Sequence, residues 1–445
     1  MTVLIKTLQV ILALSILILI HESGHFFFAK LFGVRVDKFF LFFDAGGTRL
    51  FSTRSPWFIK LFPKAEKWET EYGIGWLPLG GYCKIAGMVD ESMDTEYLKS
   101  EPQPWEFRTK PAWQRLLVMF GGVLFNFIFA IIMYACILYG WGEAYIRNEG
   151  NAIYVNELAY EMGFRNGDRI LMLDDYKPED FQMLQADLVR RETKRVTVLR
   201  GQDSLNIYID RSKTGEILQS PGMFDLAYPF IVTSVSETSP NKGLDIRPED
   251  RIIEINGHGI EYIQDARPLL RSNAGQEVKV SLLRGADTVS MNMQVDSTGA
   301  IGVFLKTPEV TTREYTFLAS IPAGCSKAWD TIGGYVKDLK LVFTPSTEAY
   351  KSVGSFIAIG QIFPATWDWY SFFNIIALIS IMLGVMNLLP IPALDGGHMM
   401  FTIYEMITGR KPSDKFLYVT QIIGMILVFG LMFLAFGNDI ARLIR

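Results

Sequence analysis

Four stretches of the chain stay apolar long enough to cross a bilayer, and the segments between them follow other periods. The first runs from about Leu4 through His25 towards Leu31, with Gly33 as its stop. The second runs from about Trp113 to Tyr139 after Pro111, the third from about Phe372 to Leu389, and the fourth from about Phe416 to Phe436. A hydrocarbon core about 30 Å thick takes about 20 apolar residues in a helix, so each stretch reads as a transmembrane helix. Residues 34–111 are polar to mixed and rich in Lys and Arg, which by the positive-inside rule places this loop in the cytoplasm. From about Gly142 to Thr311 the pattern shortens to strands and turns. The expected fold is an α-helical polytopic membrane protein of about four transmembrane helices, with a membrane-associated β element and two inserted α+β domains, 141–225 and 226–311.

Two segments in that soluble region resemble each other, Met162 to Leu173 and Lys242 to Gly257. Each has an apolar position, a turn ending in Asp-Arg and an apolar strand, an internal repeat. Its pattern is similar to PDZ domains, which take extended segments at a sheet edge. The second copy ends Ile255-Asn256-Gly257 and has Glu249 where a glycine is usual before Asp250; the first ends Leu173-Asp174-Asp175.

Three shorter stretches carry their own patterns. Tyr72 to Ile85 contains Gly73, Gly75, Gly80 and Gly81 among β-favouring residues and is too short to span, so it reads as a hairpin-like or re-entrant element, or as an ordinary buried hairpin. A strand edge there would pair with an extended substrate by β-augmentation. Between Ala323 and Phe343 apolar and charged positions alternate at helical spacing, as in a helix on a membrane surface or on a domain; residues 312–366 are taken as this helix and a linker. Gly354 to Gly360 is apolar and short, and is expected to be irregular.

Composition narrows the classes. The 445 residues carry a formal net charge of -4, 49% apolar and 20% charged residues, and a mean hydropathy of +0.20. With no basic excess, nucleic acid is not an expected partner. Cys83, Cys136 and Cys325 are far apart in sequence and suggest neither a disulfide framework nor a thiolate metal site. Lys6 ahead of an apolar run imitates a secretory signal, but no small-residue cleavage site follows, and the segment reads as a retained helix.

The chemistry sits at the end of the first apolar run, in His21-Glu22-Ser23-Gly24-His25. Histidines four apart on a helix share a face, where both imidazoles reach one zinc ion, and Glu22 between them is placed as general base toward water. Ionisable groups inside a span cost about 2.5–3.5 kcal/mol each on insertion scales, which makes a functional site the default reading. Catalytic zinc takes three protein ligands, and the third is sought where the third helix breaks, in Asn387-Leu388-Leu389-Pro390-Ile391-Pro392-Ala393-Leu394-Asp395-Gly396-Gly397-His398. Asp395 is the first candidate there and His398 the competitor. Asn126, with Gly121 and Gly122 in the second helix, either orients a ligand or bonds a neighbouring helix.

Taken together, His21-Glu22-x-x-His25 in a first transmembrane helix, the glycine-rich loop, Asn126, the PDZ-like repeats and Asn387-x-x-Pro390-x-Pro392-x-x-Asp395-Gly396 resemble the site-2 protease family, of the bacterial regulator-of-sigma-E protease type. Gly121-Gly122 stands where that family often has Gly-Pro. The resemblance implies one Zn²⁺ per chain on His21, His25 and Asp395, Glu22 as catalytic base, and Asn126, Asn387, Pro390 and Pro392 assisting. It also implies a multi-pass protein, a monomer in the bacterial inner membrane among membrane lipid, with its active site near the cytoplasmic face and its PDZ-like tandem in the periplasm. The expected activity is cleavage of single-pass transmembrane protein substrates, such as an already truncated anti-sigma factor or remnant signal peptides, in regulated intramembrane proteolysis. The tandem, inserted between the two halves of the metal site, is expected to filter substrates by size. A PDZ-based membrane scaffold with a structural or vestigial zinc site, and a zinc transporter, are the alternatives from other classes.

Overall fold

The computed structural model describes residues 2–78, 80–88, 101–220, 222–347 and 349–444; Leu79 of the glycine-rich stretch lies outside the described residues. The chain forms two compact units, one of Met1–Gly142, Glu314–Phe343 and Tyr350–Arg445, the other of Glu143–Arg313 and Thr344–Ala349.

The first unit opens with helix α1, Thr2–Leu31, which ends where Gly33 takes φ +65° and Val34 N–H turns back to Ala29 O. A small sheet follows: β1, Val36–Leu41; β2, Arg49–Ser52; a short helix α2, Pro56–Leu61; β3, Glu71–Gly75; and β4, Tyr82–Ile85. The strand order is β2-β3-β1-β4, with β3 parallel to β1 and β4 antiparallel to it, so β4 is an edge strand. Gly81 beside β4 abuts Ile18 of α1: a Cβ there would come within 2.5 Å of Ile18 Cγ2. Helix α3, Ala112–Trp141, then crosses α1 at Gly24 and Gly121, so closely that a Cβ on Gly24 would sit 2.1 Å from Gly121 O. Glycine is required at that crossing because nothing larger lets the two backbones meet.

The second unit contains two halves built alike. The first half has β5, Glu143–Ile146; β6, Ala152–Val155; α4, Glu157–Glu161; β7, Arg169–Leu173; α5, Leu184–Arg190; β8, Arg195–Arg200; β9, Asp203–Tyr208; α6, Thr214–Gln219; and β10, Phe224–Ala227. The second has β11, Val232–Val235; β12, Arg251–Ile255; β13, His258–Gly259; α7, Ile263–Ser272; β14, Glu277–Arg284; β15, Asp287–Gln294; β16, Val303–Leu305; and β17, Val310–Arg313. Sheet β7-β8-β9 corresponds to β12-β14-β15. The repeated Asp-Arg turn has one physics in both. Buried Asp168 accepts from Arg200 Nε and Nη2 at 2.7 and 2.8 Å, and buried Asp250 accepts from Arg284 Nε and Nη2 at 2.8 and 2.7 Å. The odd residues of each copy do the usual work: Glu249 takes the left-handed φ of 69° where Gly167 has 88°, and Asp174 receives the Lys194 and Arg195 amides as Asn256 receives that of Lys279. Strands β5 and β17 pair antiparallel, Glu143 against Arg313, so the unit's entry and exit lie side by side.

Back in the first unit, α8, Phe317–Val342, has its buried side at Ser320, Gly324 and Ala328, and Gly324 lies against Ala135 of α3. The amphipathic stretch is therefore a helix, longer than its pattern suggested, packed along α3 through a small-residue stripe. Gly354 to Gly360, expected to be irregular, lies largely within a helix, α9, Phe356–Ile362. Its N-terminus is capped by Ser355 and by Asp439, whose Oδ2 accepts from the Ser355 and Ala358 amides at 2.8 and 3.2 Å, satisfying donors that would otherwise be orphaned. Helices α10, Trp369–Asn387, α11, Asp395–Thr408, and α12, Asp414–Ile444, complete the unit. Among the described residues four helices are long and apolar enough to cross a membrane: α1, α3, α10 and, within α12, Lys415–Ala441.

Candidate metal centre

The first two side chains of the cluster come from α1, where the i, i+4 spacing puts His21 and His25 on one face. That face meets α3 at Gly122, and a Cβ at 122 would lie 2.4 Å from His25 Nε2 and 2.6 Å from His21 Cε1. Gly122 is thus the room in which both imidazoles stand. The third group enters from the break after α10. Ile391 N–H bonds Leu389 O and Leu394 N–H bonds Ile391 O, and this tight turn, closed by Pro390 and Pro392, starts α11 at Asp395. Gly396 and Gly397 pack directly under Leu388 to Pro392, where a Cβ would come within 2.3–2.8 Å of backbone atoms.

Three donor atoms converge. His21 Nε2 and His25 Nε2 are 3.2 Å apart, and Asp395 Oδ2 is 3.3 Å from the first and 3.4 Å from the second. Tetrahedral zinc with ligands at about 2.0–2.1 Å needs an edge of about 3.3 Å, so the triangle fits the ion. A metal ion between the two ring nitrogens would give both lone pairs a partner, and it would also serve Asp395 Oδ2, a buried oxygen with no ordinary hydrogen-bond donor. Among the described residues the metal-capable cluster is His21, His25 and Asp395; His398 is not part of it.

The surrounding groups set the ring tautomers. His25 Nδ1–H donates to Val118 O at 2.9 Å, which leaves Nε2 with its lone pair toward the cluster. His21 Nδ1 lies 3.2 Å from the Asn126 amide, whose Oδ1 is buried without a partner. Turning that amide over lets Oδ1 accept from Nδ1–H, which satisfies both groups and again frees Nε2. Asn126 is held by its own backbone, since Ser380 Oγ–H donates to Asn126 O at 2.8 Å. Asn387 Nδ2 sits 3.3 Å from His21 Nε2, on the cluster side of the ring. Glu22 accepts from the backbone N–H of Cys83, which ties the carboxylate to edge strand β4. Further along α3, Arg115 Nη2 donates to Glu405 of α11 at 2.5 Å, so the helix that carries Asp395 is pinned three turns downstream.

Of the residues singled out from sequence, His21, Glu22, His25, Asn126, Asn387 and Asp395 meet here. Gly81 reaches α1 near the cluster. Gly73, Gly75 and Gly80 pack inside the sheet against Phe40 and Phe43. Val118, Cys83 and Ser380 were not foreseen; two of them act through backbone groups, which leave no trace in side-chain identity, and Ser380 is a lone serine in an apolar run.

Comparison with known proteins gives the chain a family. The sequence pattern of peptidase family M50 matches residues 9–431. The chain is 28% identical to Protease RseP of Yersinia pestis over 100% of both chains, and 28% identical to the Regulator of sigma-E protease RseP of Escherichia coli over 97% of this chain and 98% of the relative. It is 26% identical to a Putative zinc metalloprotease of Vibrio cholerae over 97% and 98%. Among solved structures, the PDZ domain of an SdrC-like protein from Listeria monocytogenes matches at 23% identity over 18% of this chain and 92% of that one, with a TM-score of 0.17, a likeness too slight to argue from. With a family match that spans both halves of the His–His–Asp cluster, the chain belongs to peptidase family M50 and is a metalloendopeptidase.

Proposed function

We propose that the protein is a zinc-dependent intramembrane endopeptidase that cuts single-pass membrane proteins within or beside their transmembrane segment, after another protease has shortened their outer part. The observation that carries this reading is the triangle of His21, His25 and Asp395 with Glu22 beside it, one turn from the middle of an apolar helix. Zn²⁺ held by these three residues, one per chain, supplies Lewis acidity toward the scissile carbonyl and toward water.

The chain's own residues do the rest. A helical substrate keeps its carbonyls engaged, so the segment to be cut has to unwind, and edge strand β4 offers the unwound backbone a partner. Because Cys83 N–H reaches Glu22, a strand added at that edge lies within reach of the base. Glu22 takes a proton from the attacking water as the new C–O bond forms and passes it to the departing amine as the C–N bond breaks. Asn387, on the cluster side of His21, is positioned to donate to the oxygen that gains charge in that step. Asn126 and Val118 O orient the two imidazoles, and Pro390 and Pro392 fix the turn that presents Asp395.

The two similar halves of the inserted unit act as a PDZ-like tandem that excludes substrates with bulky outer domains. Its paired entry and exit strands support excision of 143–313 as a block. In this reading the site lies near the cytoplasmic face of a bacterial inner membrane and the tandem lies in the periplasm. The test is cleavage of a model single-pass substrate in detergent or vesicles: the native chain cuts, Glu22→Gln does not, and the block excision cuts unshortened substrates as well. Equal cutting by Glu22→Gln would overturn the mechanism, and an excised protein that still rejects unshortened substrates would overturn the filter.

A further inference from the structure

The segment between β2 and β3 takes no part in the cluster, yet its surface has a character of its own. Trp57 and Leu61, four apart on α2, share a face and are 58% and 65% exposed, and Phe62 next to them is 51% exposed. Interleaved with these are Lys60, Lys64 and Lys67, all exposed and with no acidic partner among the described residues, against the single acid Glu66. Large apolar side chains beside unpaired lysines are disfavoured on a face that meets only water, and are the pattern of an element lying in a membrane interface. The position of α2 agrees. A chain of ring contacts runs from Phe26 near the end of α1 to Tyr72 (6.1 Å), Trp68 (6.1 Å), Phe58 (6.3 Å) and Phe62 (5.0 Å), so α2 is fixed beside the end of a helix long and apolar enough to span.

We propose that residues 57–67 form an interfacial foot that docks on an anionic phospholipid surface, with Trp57, Leu61 and Phe62 entering the acyl boundary and the three lysines engaging the headgroup phosphates. The inference rests on the reading of α1 as a membrane span. Charge complementarity favours lipid as the occupant: three cations unpaired among the described residues suit the phosphate plane, and apolar side chains of this size suit the layer beneath it. By holding the outer strands of the sheet at the interface, the foot fixes the depth of the same sheet's other edge, β4, beside Glu22.

The test uses the full chain on a cysteine-free background, with a nitroxide label at Leu61→Cys, in vesicles of phosphatidylcholine alone and with phosphatidylglycerol added. The expected result is a label that collides with oxygen in preference to a water-soluble nickel complex when phosphatidylglycerol is present. That preference is lost in phosphatidylcholine alone, in a variant with Lys60, Lys64 and Lys67 all changed to Glu, and in the milder variant with all three changed to Gln. Glu22-dependent cleavage in each variant verifies the fold. A nickel-accessible label in both vesicles, or a depth indifferent to lipid charge and to the lysines, overturns the proposal. A label shielded only when an acidic substrate segment is added assigns the surface to protein and also overturns it. A second label at Leu12 on α1 separates the two readings: if it too is aqueous the spanning reading fails, whereas an immersed Leu12 with an aqueous Leu61 sinks the foot alone.

Discussion

Buried polar groups behave differently in the two units. In the inserted unit the bonded ones serve their own neighbourhood: Asp168 and Asp250 close turns with Arg200 and Arg284, Asn241 bonds Gln294 O and Ile301 O, and Asn148 bonds Ile170 O and Pro178 O. In the unit with the spanning helices Gln9 of α1 bonds Pro364 O and Arg115 of α3 bonds Glu405, while the other buried polar groups of α1, α3 and α10 gather on one point, with His25 on Val118, Asn126 on His21, Ser380 on Asn126 and Asn387 beside His21. Where a polar group is cheap to bury it is spent on local architecture. Where it is expensive, as in a span, most of it gathers at the candidate site.

That contrast puts the largest effect on a residue with no polar atom in its side chain. Gly122→Ala forces a methyl between the two imidazoles, and since a displacement of about 1 Å costs about 100-fold in rate, at least that loss in kcat/KM is expected, with zinc lost in parallel. Asn126→Ala removes the partner of His21 and is expected to weaken zinc binding by about 10- to 100-fold in a chelator competition, with Asn126→Asp recovering part of it because Oδ1 is the working atom. Arg115→Met breaks a largely buried charged contact between α3 and α11. It is expected to cost about 2 kcal/mol in thermal unfolding of the first unit, restored in part by adding Glu405→Gln.

The smallest effect lies in the other unit and leaves the metal site alone. Hydrogen bonding to Arg284 holds the Asp250 carboxyl below its ordinary range. Its contribution to stability is therefore full above the unfolded carboxylate pKa of about 3.9 and disappears as pH falls through the lower folded value. Melting of the inserted unit followed from neutral to acid pH is expected to show that loss, and Asp250→Asn to flatten it without changing zinc content.

The parts of the site that lie in side-chain spacing were legible in the sequence: His21, Glu22 and His25 one turn apart, and Asp395 after a doubly proline-broken helix. What could not be read depends on where backbones cross. Nothing in the string places Gly122 opposite His21, Cys83 N–H on Glu22 or Val118 O on His25. The amphipathic stretch after Ala323 showed its charged face more plainly than the Ser320-Gly324-Ala328 stripe, which is what takes α8 to α3. Short Phe356–Ile362 read as irregular because its cap comes from Asp439, more than seventy positions on. In the inserted unit the reverse held, since the repeated Asp-Arg turn announced the duplication even though Glu249 and Asp174 depart from the usual residues.

In the proposed mechanism His21, His25 and Asp395 hold one zinc ion while Glu22 only moves protons. Zinc per chain, measured by mass spectrometry of the metal on purified Glu22→Gln, Asp395→Ala and His398→Ala, tests it most directly. One zinc in the first and third and none in the second is the expected result. A zinc-loaded Asp395→Ala, or a His398→Ala that comes out empty, would contradict it.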